Sequence, residues 1–335
     1  MPRITFENYP VATVACFDAT TGPLPRRLLD PSTNNLFLET LAQQGAAAVL
    51  IGASTGQGHV RTAEELNQWF LSIQGANLGD TIKIALLRPE DGPSWHQKHV
   101  ETLVEAGFEV AFVRPGTNLG SDASDSQVAD NMHSACQCIA DADLTLGVYS
   151  IPDVSGIALR PDAVAEIQQG FGDHLVAVKV TESNYQQSTK RFLSDQRLRH
   201  LKIVQGWDPF LADALQDDPI RCGITSGPMS FALLQYLHLL EAAQRKDWAE
   251  VYAAQAAVTQ VFQSMQDDPT KFADLQRAKC IMGLGHPLLS EILPAQMERV
   301  FHALETLSRD QDKQRIAASL NLLQKGPYAS RLSTL

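Results

Sequence analysis

Lys179 stands in an apolar, β-branched run, HLVAVKVTE (174–182). A side chain presented from such a strand at the mouth of a buried sheet is partly withdrawn from water, which disfavours the ammonium form and lowers its pKa. A neutral amine attacks a ketone. The Schiff base so formed is an electron sink, and a carbon–carbon bond beside the former carbonyl then becomes easy to make or break. A lysine at a strand end also snorkels its charge to water in many proteins, and the run alone leaves both readings open. Tyr149 closes a second apolar run, Leu144 to Tyr149; a tyrosine ending a strand is commonly structural, and a phenol there can also relay a proton to the hydroxyl gained or lost as a Schiff base forms or collapses. Ser54 and Thr55 lie in a glycine-bracketed loop, Gly52 to Gly58, which reads equally as an ordinary turn from strand to helix or as a loop whose hydroxyls and backbone amides suit a carboxylate. The loop lacks GK[ST], so a nucleotide phosphate loop is not expected.

Other chemistry-bearing residues form weaker patterns. His96 and His99 are spaced to share a helix face, but no third ligand has a matching position, and no metal is expected. Cys136 and Cys138 are two apart on an expected helix and point to different faces, against a metal or redox pair. No Ser-His-Asp or HExxH pattern appears among the dispersed histidines. Glu64, Glu65, Asp217 and Asp218 read as caps or loop charge.

The elements that must position these groups follow from the apolar pattern. Runs rich in Val, Ile, Leu and Ala are Val11 to Cys16, Ala47 to Ile51, Ile82 to Leu86, Val110 to Val113, Leu144 to Tyr149, Leu175 to Val180, Lys202 to Val204 and Ile220 to Ile224. Most are separated by segments with helical spacing. Thr62 with Glu65, and Ser94 with Gln97, read as capping boxes; Gly45 and Gly107 read as helix ends, and Pro161 and Pro209 as first-turn prolines. Short, continuously apolar strands alternating with helices require a parallel sheet covered on both faces. Eight of them predict an α/β fold, a (β/α)8 TIM barrel over 1–245. An open doubly wound sheet is the competitor, disfavoured because no nucleotide fingerprint follows the first run. From Met229 the strand signal ends: Leu233, Leu234, Leu237 and Leu240 mark the last barrel helix, and helices over Trp248 to Phe262, Phe272 to Met282 and Met297 to Leu323 predict a C-terminal helical extension, 246–335, packed on the barrel.

In such a barrel catalytic side chains come from the carboxyl ends of the strands. That places the Ser54–Thr55 loop, Tyr149, Lys179, Gly206-Trp-Asp208 and Gly223-Ile-Thr-Ser-Gly227 around one mouth.

The chain has 335 residues, 44% hydrophobic and 19% charged, the composition of a globular enzyme-sized protein. Its formal net charge is −11, with no basic stripe to neutralise phosphates, which argues against a nucleic-acid partner. Five scattered cysteines and an opening without secretory character predict a reducing, cytoplasmic setting. The longest apolar run, Ala46 to Ile51, is far below the ~20 residues that span a bilayer, and no membrane partner is expected.

Several motifs in order resemble the dihydrodipicolinate synthase and N-acetylneuraminate lyase family of Schiff-base aldolases and lyases, over roughly 10–285. TVACFD (13–18) is similar to the family's T-P-F strand, and LAQQGAAAVLIGASTGQGHVRTAEE (41–65) to its G-x-x-G-(L/I)-x-x-x-G-[ST]-T-G-E segment. VYSIPDVSG (148–156) resembles Y-N-x-P-x-x-[ST]-G, and VAVKVTESN (176–184) the strand G-(I/V)-K-x-[AST]. The resemblance implies Lys179 as the Schiff-base lysine, Tyr149 as the proton-relay tyrosine, and Ser54 and Thr55 as the cradle of a 2-oxo acid's carboxylate, with Thr55 also near the relay. Gly206 and the backbone around Ile224 would line the acceptor end. No cofactor is implied; the partners are a 2-oxo acid, usually pyruvate, and an aldehyde, in a homodimer or homotetramer. The departures are Gln57 for the family's glutamate, Val154 where dihydrodipicolinate synthases keep an arginine, and Arg114-Pro-Gly-Thr-Asn118 where they carry P-Y-Y with a relay tyrosine. Valine cannot replace a bidentate guanidinium, so aspartate semialdehyde is not the expected acceptor. The alternatives are a hydro-lyase of the dihydrodipicolinate synthase type and a barrel that binds a ligand without catalysis.

Overall fold

A computed structural model of the chain describes residues 10–12, 17–18, 27–266, 274–285 and 291–335. Its strands are β1 (Pro10–Ala12), β2 (Phe17–Asp18), β3 (Leu28–Leu29), β4 (Ala48–Ile51), β5 (Ile82–Leu87), β6 (Val110–Val113), β7 (Thr145–Ser150), β8 (Leu175–Val180), β9 (Lys202–Gln205) and β10 (Cys222–Ile224). β2 and β3 form a small antiparallel pair; the other eight form one parallel sheet in chain order. Each expected run overlaps one of these strands to within a residue or two at the described ends; of the first, residues 13–16 lie outside the described residues.

Parallel neighbours in chain order need a crossover each time, and helices supply most of them. They are α1 (Pro31–Gln43), α2 (Ala63–Ser72), α3 (Pro93–Glu105), α4 (Asp125–Asp141), α5 (Pro152–Ser155), α6 (Pro161–Phe171), α7 (Thr189–Ser194) and α8 (Leu211–Asp217); α9 (Met229–Gln244) follows the last strand. The two faces of the sheet are both apolar and bury into separate clusters. Val49, Ile51, Val178 and Val180 point outward to helix residues such as Phe37 and Phe70. Leu50, Ile84, Phe112, Tyr149, Ala177 and Val204 alternate with them and meet on the inner face. Among the described residues no pairing joins β10 to β1. The sheet curls nonetheless: a Cβ on Gly227, after β10, would stand 3.3 Å from Thr55 Oγ1, after β4. α9 also packs against β1.

Local punctuation agrees with the sequence at several ends. Thr62 Oγ1 accepts from the Glu65 amide at 3.1 Å while Glu65 Oε2 accepts from the Thr62 amide at 2.8 Å. Pro161 opens α6, and Gly45 and Gly107 close α1 and α3 with positive φ. Pro209 sits in the first turn of a short 3-10 helix, Asp208–Phe210, ahead of α8. Two expectations need correction. α3 is not capped by Ser94 and Gln97: it begins at Pro93 after Gly92, and the Gln97 side-chain amide donates to Glu101 instead. The stretch Met297 to Leu323 is two helices, not one.

Beyond α9 come α10 (Trp248–Gln263), α11 (Leu275–Met282), α12 (Pro294–Glu305), α13 (Asp310–Leu320) and α14 (Ala329–Leu332). α10 and α13 both pack on α9. Gln235 of α9 donates to Asp312 of α13 at 2.9 Å, and the Leu234 amide donates to Ser319 at 3.1 Å. No described helix is long and apolar enough to cross a membrane.

Candidate active site

Tyr149 and Lys179 face each other in register on adjacent strands, β7 and β8, both on the inner face. The pleat that turns Val178 and Val180 outward turns Lys179 inward. Lys179 is 3% exposed and Tyr149 2%. The Lys179 Nζ lies 4.1 Å from the centre of the Tyr149 ring. Burial pulls the ammonium down to about 7, against an opposing upward pull from Asp208. Burial also pushes the Tyr149 phenol well above its ordinary value, so it keeps its proton. Its hydroxyl is 3.1 Å from Thr181 Oγ1 and also engages Ser54.

These groups open onto one cavity of about 370 Å³. Its wall takes Ser54 and Thr55 from the end of β4, Tyr149 and Asp153 from β7 and α5, Lys179 and Thr181 from β8, Gly206 to Asp208 after β9, and Thr225 to Gly227 after β10. The outer rim is Thr259, Phe262, Gln263 and Gln266 from the α10 end, with Asp274 and Leu275 at the start of α11. The Ser54–Thr55 loop is tightly wound: the amides of Gly56 and Gly58 both donate to the Ala53 carbonyl, and a Cβ on Gly58 would fall 1.9 Å from the Gly52 carbonyl oxygen. Gly206 is equally constrained. A Cβ there would stand 2.3 Å from Thr181 Oγ1 and 3.4 Å from Lys179 Cε.

Of the residues singled out in the sequence, Lys179, Tyr149, Ser54, Thr55 and Gly206 meet in this cavity. Thr55, expected near the relay, lines the wall, whereas the hydroxyls engaging Tyr149 are those of Thr181 and Ser54. Ile224 is not in the lining: its side chain faces outward into the core between sheet and helices, and Thr225 takes the inward place. Val154 borders a separate, water-sized space of about 10 Å³ beside Tyr149. Arg114 is engaged within its own chain, forming a fork with the Glu90 carboxylate. His96 and His99 are core histidines, with Nδ1 3.0 Å from Ser134 and from Asn67 respectively. Cys136 is buried and Cys138 half-buried on separate faces of α4.

Asp208 and Ser226 stand at the mouth, where the order of the strand ends placed them, whereas Thr181 and Tyr236 were not singled out in the sequence. Asp208 Oδ1 accepts from Ser226 at 2.5 Å and from Tyr236 at 2.6 Å, with burial raising its carboxyl to about 6. Thr181 was visible within the lysine motif. Asp208, Ser226 and Tyr236 come from separate segments, which only the fold assembles.

Comparison with known proteins agrees with this architecture. No family model matches the chain, and no curated sequence matches it. Solved structures do. A sialic acid aldolase of Ruminococcus gnavus superposes with a TM-score of 0.74 over 93% of this chain and 97% of its own, at 17% identity. A dihydrodipicolinic acid synthase family protein of E. coli K12, solved with pyruvate, gives 0.77 over 90% and 99%, at 16% identity. The chain shares the fold of these enzymes. A dihydrodipicolinate synthase of Aquifex aeolicus gives 0.74 over 91% and 100%, again at 16% identity. At these identities the likeness establishes the fold these proteins share.

Proposed function

We propose that the chain is a lysine Schiff-base aldolase or lyase of the dihydrodipicolinate synthase and N-acetylneuraminate lyase family, joining or cleaving a pyruvate-type 2-oxo acid and an aldehyde. The observation that carries the reading is the enclosed Lys179 amine, brought to about 7 at the floor of a cavity built from five strand ends. Among the fold relatives, a second structure of the Ruminococcus gnavus sialic acid aldolase is of its catalytic lysine mutant, and the E. coli protein was solved with pyruvate.

In this reading the neutral Nζ adds to C2 of the keto acid while Ser54 and Thr55 hold its carboxylate. The nitrogen gives up a proton and the carbonyl oxygen takes one up, and the resulting neutral carbinolamine loses water with a proton supplied through Tyr149. The nitrogen lone pair completes the C=N bond. Loss of a C3 proton then gives the enamine that attacks the aldehyde; cleavage runs the same steps backwards.

The cavity is lined by Asp153, Asp208 and Asp274, and among the described lining residues Lys179 is the one basic side chain. An acidic acceptor meets like charge there, and Arg114 is turned to Glu90. Both features favour a neutral, hydroxyl-bearing aldehyde over aspartate semialdehyde, and so an aldolase over the hydro-lyase alternative. A barrel that only bound a ligand would have no use for an amine tuned to neutrality. The reading also takes the sheet as a closed (β/α)8 barrel over 1–245 with the helical region 246–335 packed on it, in a homodimer or homotetramer of the cytoplasm.

Pyruvate with sodium borohydride tests it. One reduced adduct is expected on the Lys179 peptide by mass, absent in Lys179→Ala. An unmodified Lys179 in folded protein would end the proposal. A screen of neutral hydroxylated aldehydes beside aspartate semialdehyde, followed by pyruvate consumption, then identifies the acceptor class.

A further inference from the structure

One cluster in the cavity wall has no task in these steps. The Asp208 carboxylate follows β9 and is gripped from two other elements, by Ser226 after β10 and by Tyr236 on α9, whose hydroxyls are themselves 3.0 Å apart. Two donors on one oxygen fix the carboxylate's orientation and favour its ionised form. The bare Gly206 lets the main chain leading to Asp208 pass against the Lys179 side chain, and both residues line the same cavity.

We propose that Asp208, oriented by Ser226 and Tyr236, is the fixed counter-charge of the Lys179 nitrogen and steadies the cationic iminium formed there. The part concerning the iminium rests on the Schiff-base reading; the part concerning the amine does not. When the carbinolamine expels water, the C–O pair leaves with the oxygen, the nitrogen lone pair enters the C=N bond, and nitrogen becomes positive in a site nearly closed to solvent. A positive charge so placed needs a partner.

The groups facing Lys179 narrow the choice. Tyr149 of β7 presents a neutral ring face. Asp153 of α5 acts on Tyr149, and Asp274, which caps α11, acts on Asp208. Asp208 is the charge that acts on Lys179, drawing its pKa upward against burial. Burial works against the Asp208 charge as well, and the Ser226 and Tyr236 hydroxyls counter it. Both are therefore positioning residues: removing either protonates Asp208 more readily and weakens its field at the amine.

The test reads the Lys179 amine directly, without any keto acid, by competitive acetylation across pH with quantification of the Lys179 peptide. Asp208→Asn should lower the titration midpoint by about one pH unit, the scale of a nearby opposite charge. Tyr236→Phe and Ser226→Ala should lower it less, and Asp208→Glu should restore it in part. The pH dependence of pyruvate and borohydride trapping should move with it. Asp208→Asn with the wild-type midpoint overturns the proposal. If that variant fails to fold, unchanged midpoints in folded Tyr236→Phe and Ser226→Ala overturn it equally. Should the variants show shifted midpoints while wild-type protein never traps pyruvate, the Schiff-base reading falls and the pairing of carboxylate and amine stands.

Discussion

Lys179 is held in a protonation state that water would not choose, and the folded chain bears the cost. With the folded amine near 7 against an ordinary 10.5, the unfolded chain binds the extra proton between those values, so stability rises with pH across that window. The penalty is full below about pH 7 and gone above about pH 10.5, falling by ~1.4 kcal/mol for each pH unit crossed. Lys179→Met, which fills the space without charge, should therefore raise the unfolding free energy at pH 7 by a few kcal/mol, with the advantage vanishing near pH 10. Denaturant unfolding at the two pH values checks this; equal stability of the two proteins at pH 7 would show the amine to be well solvated. Tyr149→Phe bears on rate instead. It forgoes one hydroxyl contact worth about 1 kcal/mol, yet should lower kcat on the order of 100-fold or more, in steady-state kinetics with melting compared alongside. Lys179 and Tyr149 were legible because each sits in a short run whose composition already implies burial. Asp208 could be placed at the mouth by its position after the seventh run, but its task could not be read, since Ser226 and Tyr236 converge on it only in the fold.

At the scale of elements, the site depends on how β4 hands over to α2. The chain must reverse within Gly52 to Gly58 and enter a helix at once, so the loop carrying Ser54 and Thr55 is clamped at both ends. At one end Gly58 lies against the Gly52 carbonyl; at the other Thr62 and Glu65 close the capping box. Thr62→Ala should cost ~1 kcal/mol, the usual loss of a cap, with little change in affinity for the keto acid. Gly58→Ala forces backbone against backbone and should cost more, while also raising KM for the keto acid because the loop must shift. Thermal melts with kinetics on both variants separate the two effects; a Gly58→Ala protein with wild-type KM would detach the loop from carboxylate binding. The Thr62 cap could be read from the sequence because its partners are three residues apart. The Ser94 cap failed for a local reason: Pro93 already occupies the first turn after a positive-φ Gly92, leaving Ser94 inside the helix. The break near 306–309 went unseen because apolar residues keep helical spacing on both sides of it.

For the whole molecule, the question is whether 246–335 is an appendage or part of the folding unit. α9 answers it physically. Phe231, Leu233, Tyr236, Leu239, Leu240 and Ala242 are all buried along it, and a helix apolar on nearly every side must be enclosed on every side. The sheet covers one side; α10 and α13 cover others, with Gln235 bonded to Asp312. The same C-terminal helices bring Phe262 and Leu275 to the cavity rim. A chain ending at 245 thus exposes the far side of α9 and opens the wall behind Asp208, where Tyr236 must hold its carboxylate. Such a fragment should lose cooperative unfolding, bind hydrophobic dyes, and fail to trap pyruvate at Lys179 even where strand content persists in circular dichroism. Supplying 246–335 as a separate chain should restore cooperativity if the contacts alone are missing. A fragment 1–245 that melts cooperatively and traps pyruvate at the wild-type rate would mean that the sheet and its own helices suffice, and that the tuned amine owes nothing to the helices beyond them.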